Sequence, residues 1–181
     1  SILGSTENSG YQYYCAVSNE YGTTNSNIAS YSIASDNYAL KQPFEVSSNQ
    51  VVDPYFMAKY INDGITDTLV LQNEGWTSAE NHGGSEWVII DMESVKQVSR
   101  VKLYPRYDGT NNGYGIPIDY NVQVSKDGET WTTVYSATDV ERPTSGAIYL
   151  DFDPVDARYV KFEGTKLRAN PMDDNRVRMQ I

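Results

Sequence analysis

The chain has 181 residues, a formal net charge of −10 and an isoelectric point near 4.5. An acidic protein without a run of Lys or Arg repels phosphate backbones and anionic lipid headgroups, and no stretch reaches the ~20 apolar residues of a membrane span, so we expect neither a nucleic-acid partner nor membrane insertion. The length suffices for one full domain and a smaller piece, and a composition with 15 Tyr, 4 Phe and a single His is typical of a β-rich extracellular protein.

Residues 1–34 carry a pattern of their own. The segment Ser9–Gly22 contains a Tyr-x-Cys strand motif followed by Asn-x-x-Gly, and it resembles the last strands of an immunoglobulin-like domain. Tyr13 takes the place of the tyrosine corner of such domains, and Ile28–Ile33 would form the final strand. The rest of that sandwich is missing, so the segment is either the end of an interrupted domain, which we favour, or a hairpin appendage.

A few strands cannot bury their apolar faces alone. We therefore expect residues 1–34 to pair with the main domain, to pair with another copy of the chain, or to be poorly ordered. The chain has one cysteine, Cys15, so an intrachain disulfide is impossible. We expect this cysteine to be a small buried hydrophobic residue rather than a reactive thiol.

A polar linker, 35–37, leads into the main domain, 38–181. Pro43 suits an edge strand because proline cannot donate a hydrogen bond to a neighbouring strand. A short helix is predicted over Tyr55–Ile61, and Asn62–Gly64 then forms a turn.

Strand patterns dominate the rest of the chain. The predicted strands are Trp87–Ile90, Val101–Tyr104, Tyr120–Val124, Trp131–Val134, Ala147–Phe152, Ala157–Phe162 and Val177–Ile181. Asp127 and Gly128 supply the tight hairpin turn between the third and fourth of these. Arg106–Gly115 is a long loop rich in Gly and Asn, of the kind that presents functional side chains on a rigid scaffold. A second loop, 165–176, is expected to lie beside it.

The combination of motifs resembles one family. The segments WVIIDM, VKLYPR and DYNVQVSKDGETW, followed by ARYVKFEG, resemble the discoidin or coagulation factor 5/8 type C domain over roughly residues 38–181. Among its branches, the chain is most similar to the family 32 carbohydrate-binding modules of bacterial glycosidases. The resemblance implies an all-β fold, a β-sandwich of jelly-roll, galactose-binding-like topology. It also implies that Arg158 has a structural role, in which its guanidinium ties strands and loops together.

The loop after the second strand offers the chemistry that sugars need. Arg provides a rigid fork of hydrogen-bond donors, and Asn provides a donor and an acceptor. In family 32 modules, an Arg after Tyr-Pro and an Asn a few residues on contact a terminal galactose-type sugar. The resemblance implies this role for Arg106 and Asn111. Tyr107, Tyr114 or Trp76 could supply the stacking ring, although the position of Trp76 at a strand-to-loop junction also suits a core or rim tryptophan. For Arg106, a strand-end salt bridge is the alternative.

A further group of residues could flank the sugar. These candidates are Glu80, Asn81 and His82. The family often has a sugar-binding histidine directly after the tryptophan, where this chain has Thr77. A lone histidine on a loop is as often without function as with one, so His82 is an open candidate.

The resemblance also implies a structural calcium loop. Asp63 matches the carboxylate ligand and Thr68 the hydroxyl, and the backbone carbonyls of Tyr60 and Asp67 would complete part of the shell. Calcium prefers several such oxygen ligands. Two departures stand against this prediction: the stretch after Thr68 is longer than the family pattern, and the C-terminal strand lacks the glutamate that the family supplies. The alternative for Asp63 is an ordinary turn.

Catalysis has little support in the sequence. The single histidine has no nucleophile motif near it, and neither a Gly-rich phosphate loop nor a paired-cysteine metal site occurs. The pair Asp173 and Asp174 is interpreted as a solvated loop rather than a glycosidase dyad. The predicted function is a non-catalytic module that anchors a secreted, multidomain bacterial glycoside hydrolase to glycans, through galactose- or N-acetylhexosamine-type sugars. The alternative is a discoidin-like protein-interaction or adhesion module of a cell-surface protein.

Overall fold

The computed structural model describes residues 12–30, 37–50, 55–66, 75–81 and 83–181. The chain divides into two compact units, Ser1–Tyr38 and Ala39–Ile181. Among the described residues, no helix has the length and apolar character needed to cross a lipid bilayer.

The first unit contains two pairs of short antiparallel strands. β1 (Gln12–Tyr13) pairs with β4 (Ala29–Ser30), and β2 (Ala16–Asn19) pairs with β3 (Gly22–Asn25). The remainder of the predicted strand Ile28–Ile33, from residue 31 on, lies outside the described residues. Cys15 is exposed, so the expectation of a buried cysteine is wrong. The described strands of this unit are too few and too short to form a second layer over that side chain.

The second unit is built on a five-stranded antiparallel sheet. Its strands are β5 (Phe44–Val46), β6 (Glu86–Leu103), β7 (Asp119–Ser125), β8 (Thr132–Ala137) and β9 (Ile148–Lys166), in the spatial order β5-β6-β9-β7-β8. The remaining elements are the strand pair β10 (Ala169–Asn170) and β11 (Arg176–Val177) and two 3₁₀ turns, Ala58–Tyr60 and Pro171–Asp173. The predicted all-β class is confirmed. The predicted helix Tyr55–Ile61 is wrong, because only the one 3₁₀ turn forms there.

Two long strands hold the sheet together, and each merges two of the predicted strands. β6 and β9 pair along their length, with register shifts after Asp91 and after Val98. Such bulges bend a strand and increase its twist, so one continuous strand can follow the curvature of the sheet. The sequence did not reveal the continuity, because the polar segment Glu93–Gln97 has no apolar alternation.

The core lies between the layers. It consists of the buried residues Trp76, Val88, Leu103, Ile116, Tyr120, Val122, Leu150, Phe162 and Met179. Alternation along β7 places Tyr120 and Val122 inward, and the Tyr120 ring lies 5.3 Å from the ring of Phe162. Burying an aliphatic or aromatic side chain of this size contributes about 1.5–3 kcal/mol, so the burial of this cluster strongly stabilises the unit.

Arg158 lies outside the core and joins two strands. Its Nε and Nη2 each donate to a carboxylate oxygen of Asp91 at 2.8 Å. The hydrogen bonds from Arg158 lower the pKa of Asp91 below its ordinary value. This bidentate contact links β9 to β6 beside the first register shift, so the predicted structural role of Arg158 is confirmed.

The C-terminal segment closes one end of the second unit. Trp76 N donates to Ile181 O at 2.8 Å, and Gln180 N donates to Gly115 O at 3.0 Å. The predicted strand Val177–Ile181 is present only as the end of β11 and an isolated bridge between Gln180 and Thr77. These contacts bring the loop after β6 against the end of the chain, and the candidate site lies at this junction.

Candidate functional site

A cleft of about 230 Å³ opens where the loop after β6 meets the C-terminal segment. Three predicted site residues line it: Arg106, Asn111 and Tyr114. The opposite wall comes from the loop that contains β10 and β11, and Phe56 adds a ring from a third part of the sequence. The two loops expected to be neighbours therefore share one cavity, and that prediction is confirmed.

Arg106 is fixed on two sides. Its Nη2 lies 2.5 Å from Asp108 Oδ2, and its guanidinium carbon lies 4.9 Å from the centroid of the Phe56 ring. The side chain is 20% exposed and lines the cleft. The strand-end salt bridge and the cleft position, which the sequence offered as alternatives, therefore occur together.

Asp108 organises the loop from within. It accepts hydrogen bonds from the backbone amides of Thr110 and Asn111 and from Asn111 Nδ2. Partial burial acts to raise the pKa of Asp108, but these hydrogen bonds and the charge of Arg106 outweigh it and lower the pKa to about 2. Asn111 Oδ1 in turn accepts from Asn170 Nδ2 at 2.9 Å. The Asn111 amide is thus oriented at both ends, with its carbonyl and its amino group identified by their partners.

The C-terminal wall carries a chain of charges. Asn170 Oδ1 accepts from the backbone amide of Met172 and so begins the 3₁₀ turn Pro171–Asp173. Asp173 Oδ1 then accepts from Arg176 Nη1 at 2.7 Å. The pKa of Arg176 is raised, chiefly by this hydrogen bond. The Arg176 guanidinium therefore stays charged at neutral pH.

Arg178 is the last charged residue of this wall. Its Nε lies 3.8 Å from Asp173 Oδ2, and its Nη2 lies 3.9 Å from Glu80 Oε2. Sequence analysis missed Arg176 and Arg178, and it assigned Asp173 to a solvated loop. The signal was present: Arg-x-Arg-x-Gln has the period of two that puts alternate side chains on one face of an extended segment.

Comparison with known proteins identifies the fold family. Residues 43–177 match the F5/8 type C domain. The chain belongs to this family. The family and the fold class expected from the sequence are therefore confirmed, and the cleft lies at one end of an F5/8 type C β-sandwich.

Solved structures that resemble this chain include saccharide-binding modules. Chitosan-binding module 1 of a chitosanase/glucanase from Paenibacillus sp. IK-5 is 28% identical, with a TM-score of 0.57 and coverage of 78% of this chain and 92% of that one. Module 2 of the same protein, in complex with chitotriose, is 25% identical, with a TM-score of 0.57 and coverage of 78% and 94%. CpGH89CBM32-5 from Clostridium perfringens, in complex with GalNAc-β-1,3-galactose, is 19% identical (TM-score 0.56, coverage 70% and 85%) and shares the fold.

The structure corrects the choice of ring in this F5/8 type C domain. Trp76 is 0% exposed, and its indole Nε1 donates to Ser48 O at 3.0 Å within the core, so its predicted stacking role is wrong. Phe56, which sequence analysis missed, lines the cleft instead. It has φ +59°, a left-handed backbone that a bulky side chain adopts at a cost of about 1–3 kcal/mol. Tyr114 also lines the cleft, with the guanidinium carbon of Arg142 4.5 Å from its ring centroid.

Other predicted residues lie beside the cleft rather than in its wall. The Tyr107 hydroxyl donates to Gly146 O at 2.9 Å, and burial raises its pKa. Asn81 Nδ2 donates to the buried carboxylate of Glu86 at 2.8 Å. This hydrogen bond links Asn81 to the start of β6. The Glu80 carboxylate lies 3.8 Å from Arg176 Nε and 3.9 Å from Arg178 Nη2, and these two arginines line the cleft. His82 lies outside the described residues.

The predicted calcium loop is described only in its first half. Asp67 and Thr68 lie outside the described residues. Asp63 Oδ1 accepts from Ile65 N at 2.8 Å in a tight turn after the 3₁₀ turn that ends at Tyr60. No cluster of three His, Cys, Asp or Glu side chains suited to a metal ion occurs in the part of the chain that the structure describes. The described donors, one carboxylate and nearby carbonyls, are oxygen atoms of the kind that calcium prefers.

Proposed function

We propose that this F5/8 type C domain is a non-catalytic carbohydrate-binding module whose cleft receives a terminal sugar. The observation that carries the proposal is the convergence of Arg106, Asn111 and Phe56 on one cavity. A sugar hydroxyl both donates and accepts hydrogen bonds, and the cleft offers guanidinium donors and an oriented amide. A sugar ring also has an apolar face of C–H bonds, and the phenyl ring supplies a matching surface.

The size of the cleft supports a terminal residue rather than a long chain. Its volume of about 230 Å³ lies below the ~300–1,000 Å³ of sites that enclose drug-sized ligands. The chitosan-binding module and the chitotriose-bound module of the same Paenibacillus protein, which are 28% and 25% identical to this chain, support a saccharide as the ligand class. We favour galactose- or N-acetylhexosamine-type sugars as the unit that is recognised.

The same cleft argues for binding without bond cleavage. Glycoside hydrolysis uses two carboxyl groups on either side of the scissile bond. Among the described residues that line the cleft, Asp173 is the one carboxylate, and Arg176 holds it by a hydrogen bond. The role that fits is to keep a covalently linked glycoside hydrolase, secreted from a bacterium, on its glycan substrate.

We also propose that the loop after Tyr60 binds a structural calcium ion. Asp63, Asp67 and Thr68 and the carbonyl of Tyr60 would provide oxygen ligands. The ion would take no part in sugar recognition. Its contribution would be to stability, because a ligand that binds only the folded state shifts the folding equilibrium.

Substitution of Arg106 tests the function. Arg106→Gln should weaken binding on a glycan array and in calorimetry by about ten- to a hundredfold, because a hydrogen bond to a charged group contributes about 1.5–3 kcal/mol. The matched control is Arg100→Gln on β6, whose side chain is 56% exposed and pairs with Asp151. The control should bind as the unmodified chain does. Failure of the unmodified chain to bind any glycan, together with capture of a protein ligand, would favour the adhesion alternative.

A further inference from the structure

We propose that the cleft selects saccharides that carry a carboxylate, such as a terminal uronic acid, and that Arg178 receives this group. This inference rests on the proposed function and narrows its ligand class. Three arginines line the cavity together with one carboxylate, Asp173. Within this lining the arginines outnumber the carboxylate, and Asp108, Glu80 and Asp174 pair with them from outside the lining.

The three arginines differ in how they are held. Arg106 has a carboxylate contact at 2.5 Å, and Arg176 has one at 2.7 Å. Arg178 lies 3.8 Å from Asp173 and 3.9 Å from Glu80, distances that permit attraction but exceed a hydrogen bond. Its Nε is buried and has no hydrogen-bond partner among the residues that the structure describes. Arg178 is therefore the arginine of the three whose contacts with the described carboxylates all exceed hydrogen-bond distance, and an entering acceptor can pair with its guanidinium.

Burial makes this arrangement selective for an anion. The Arg178 side chain is 17% exposed, so its charge is largely withdrawn from water. A buried charge without close hydrogen bonds is costly, and a partner that supplies acceptors removes part of that cost. A guanidinium has donors only, whereas a hydroxyl needs both a donor and an acceptor. A planar carboxylate, which only accepts, matches the guanidinium fork with two parallel hydrogen bonds.

The charge of the whole chain does not cancel this preference. At physiological ionic strength, interactions between exposed charges are screened beyond about 8 Å, whereas partly buried pairs are screened much less. The remote acidic surface can slow the approach of an anion. The contact inside the cleft then decides between ligands. By the same argument, the ammonium group of an amino sugar would gain no hydrogen bond from Arg178, because both groups have donors only.

Matched sugars test the inference on the full chain. The probes are galactose and galacturonate, glucose and glucuronate, and glucosamine, measured by calorimetry or competition at pH 7. We expect each uronate to bind at least ~10-fold more tightly than its neutral parent, since a charge-assisted hydrogen bond is about twice as strong as a neutral one. Equal or tighter binding of the neutral parents, or tighter binding of glucosamine, overturns the inference and leaves the proposed function standing. If none of these sugars binds but an N-acetylhexosamine does, the inference fails and the proposed function stands; if no sugar on a glycan array binds either, both fail.

Variants assign the effect to one residue. Arg178→Gln should reduce the ratio of uronate to neutral affinity to near one, because it removes the charge. Arg178→Lys keeps the charge but not the fork, and it should give an intermediate ratio. Arg100→Gln, on the exposed face of β6, should leave the ratio unchanged. A ratio that stays above ~10 in folded Arg178→Gln overturns the assignment, and the lysine variant decides the question if the glutamine variant does not fold.

Discussion

Asp108 fixes the geometry of the loop after β6 although it does not line the cleft. It accepts two backbone amides and the side-chain amide of Asn111, and it pairs with Arg106. One carboxylate therefore positions the two residues on which the proposed binding depends. Loss of the Asp108 carboxylate should therefore weaken both stability and binding. Because this carboxylate titrates, its contribution to stability can be measured as a function of pH.

The pH dependence of stability should reveal Asp108. Its pKa in the folded protein is about 2, against an ordinary value of 3.8, so the ionised carboxylate stabilises the fold fully above pH 4. That contribution, about 2 kcal/mol, is lost as the pH falls through 2. Urea unfolding should show that the difference between the unmodified chain and Asp108→Asn shrinks over this window. A difference in the free energy of unfolding between the two proteins that stays constant from pH 4 to 2 would contradict this role of Asp108.

The candidate site shows what single residues reveal before a structure is known. Arg106 and Asn111 could be named from the sequence, because they match the sugar-contacting positions of the family that the sequence resembles. For Trp76 the sequence left a core position and a stacking role open, because its burial depends on pairing with Ile181, more than a hundred residues away. Phe56 was missed for a related reason: its left-handed backbone has no signature in the side chain.

At the level of elements, local pattern gave the strands but not their continuity. Trp87–Ile90 and Val101–Tyr104 were separable as apolar segments, yet both lie in or at the end of β6. The bulges that join such segments bury little apolar surface of their own, so hydrophobic periodicity does not report them. The hairpin between β7 and β8 was predictable, because the pair Asp127 and Gly128 is typical of a tight turn. Gly128 has the positive φ, +81°, that this turn requires.

The loop after Tyr60 carries a prediction of its own, which is calcium-dependent stability. Calcium at 100 times its dissociation constant should add about 2.7 kcal/mol to the free energy of unfolding, and a chelator should lower the melting temperature accordingly. Asp63→Asn should melt at one temperature with or without the chelator, because it removes the carboxylate ligand. Asp127→Asn, in the hairpin turn, is the matched control and should keep the calcium response. An unmodified chain that melts identically with calcium and with chelator has no such site.

At the scale of the whole molecule, the described core of the second unit is built entirely from residues of that unit. The buried clusters draw only on residues within 39–181, whereas the described side chains from 14 to 28 are all exposed. Apolar burial is the dominant favourable term in folding, so the stability of the second unit should not depend on the first.

Two truncations test whether the second unit is stable without the first. A chain of residues 39–181 should keep its melting temperature within a few degrees and its glycan affinity within about twofold, because no core residue is lost. Removal of residues 179–181 alone should instead unfold the second unit or weaken it strongly. It deletes Met179, which is 0% exposed, and the backbone hydrogen bonds between Ile181 and Trp76, and loss of such a core side chain costs about 2–5 kcal/mol. Circular dichroism melts and calorimetry distinguish the outcomes, and a larger effect from the N-terminal truncation than from the three-residue one would contradict the division into units.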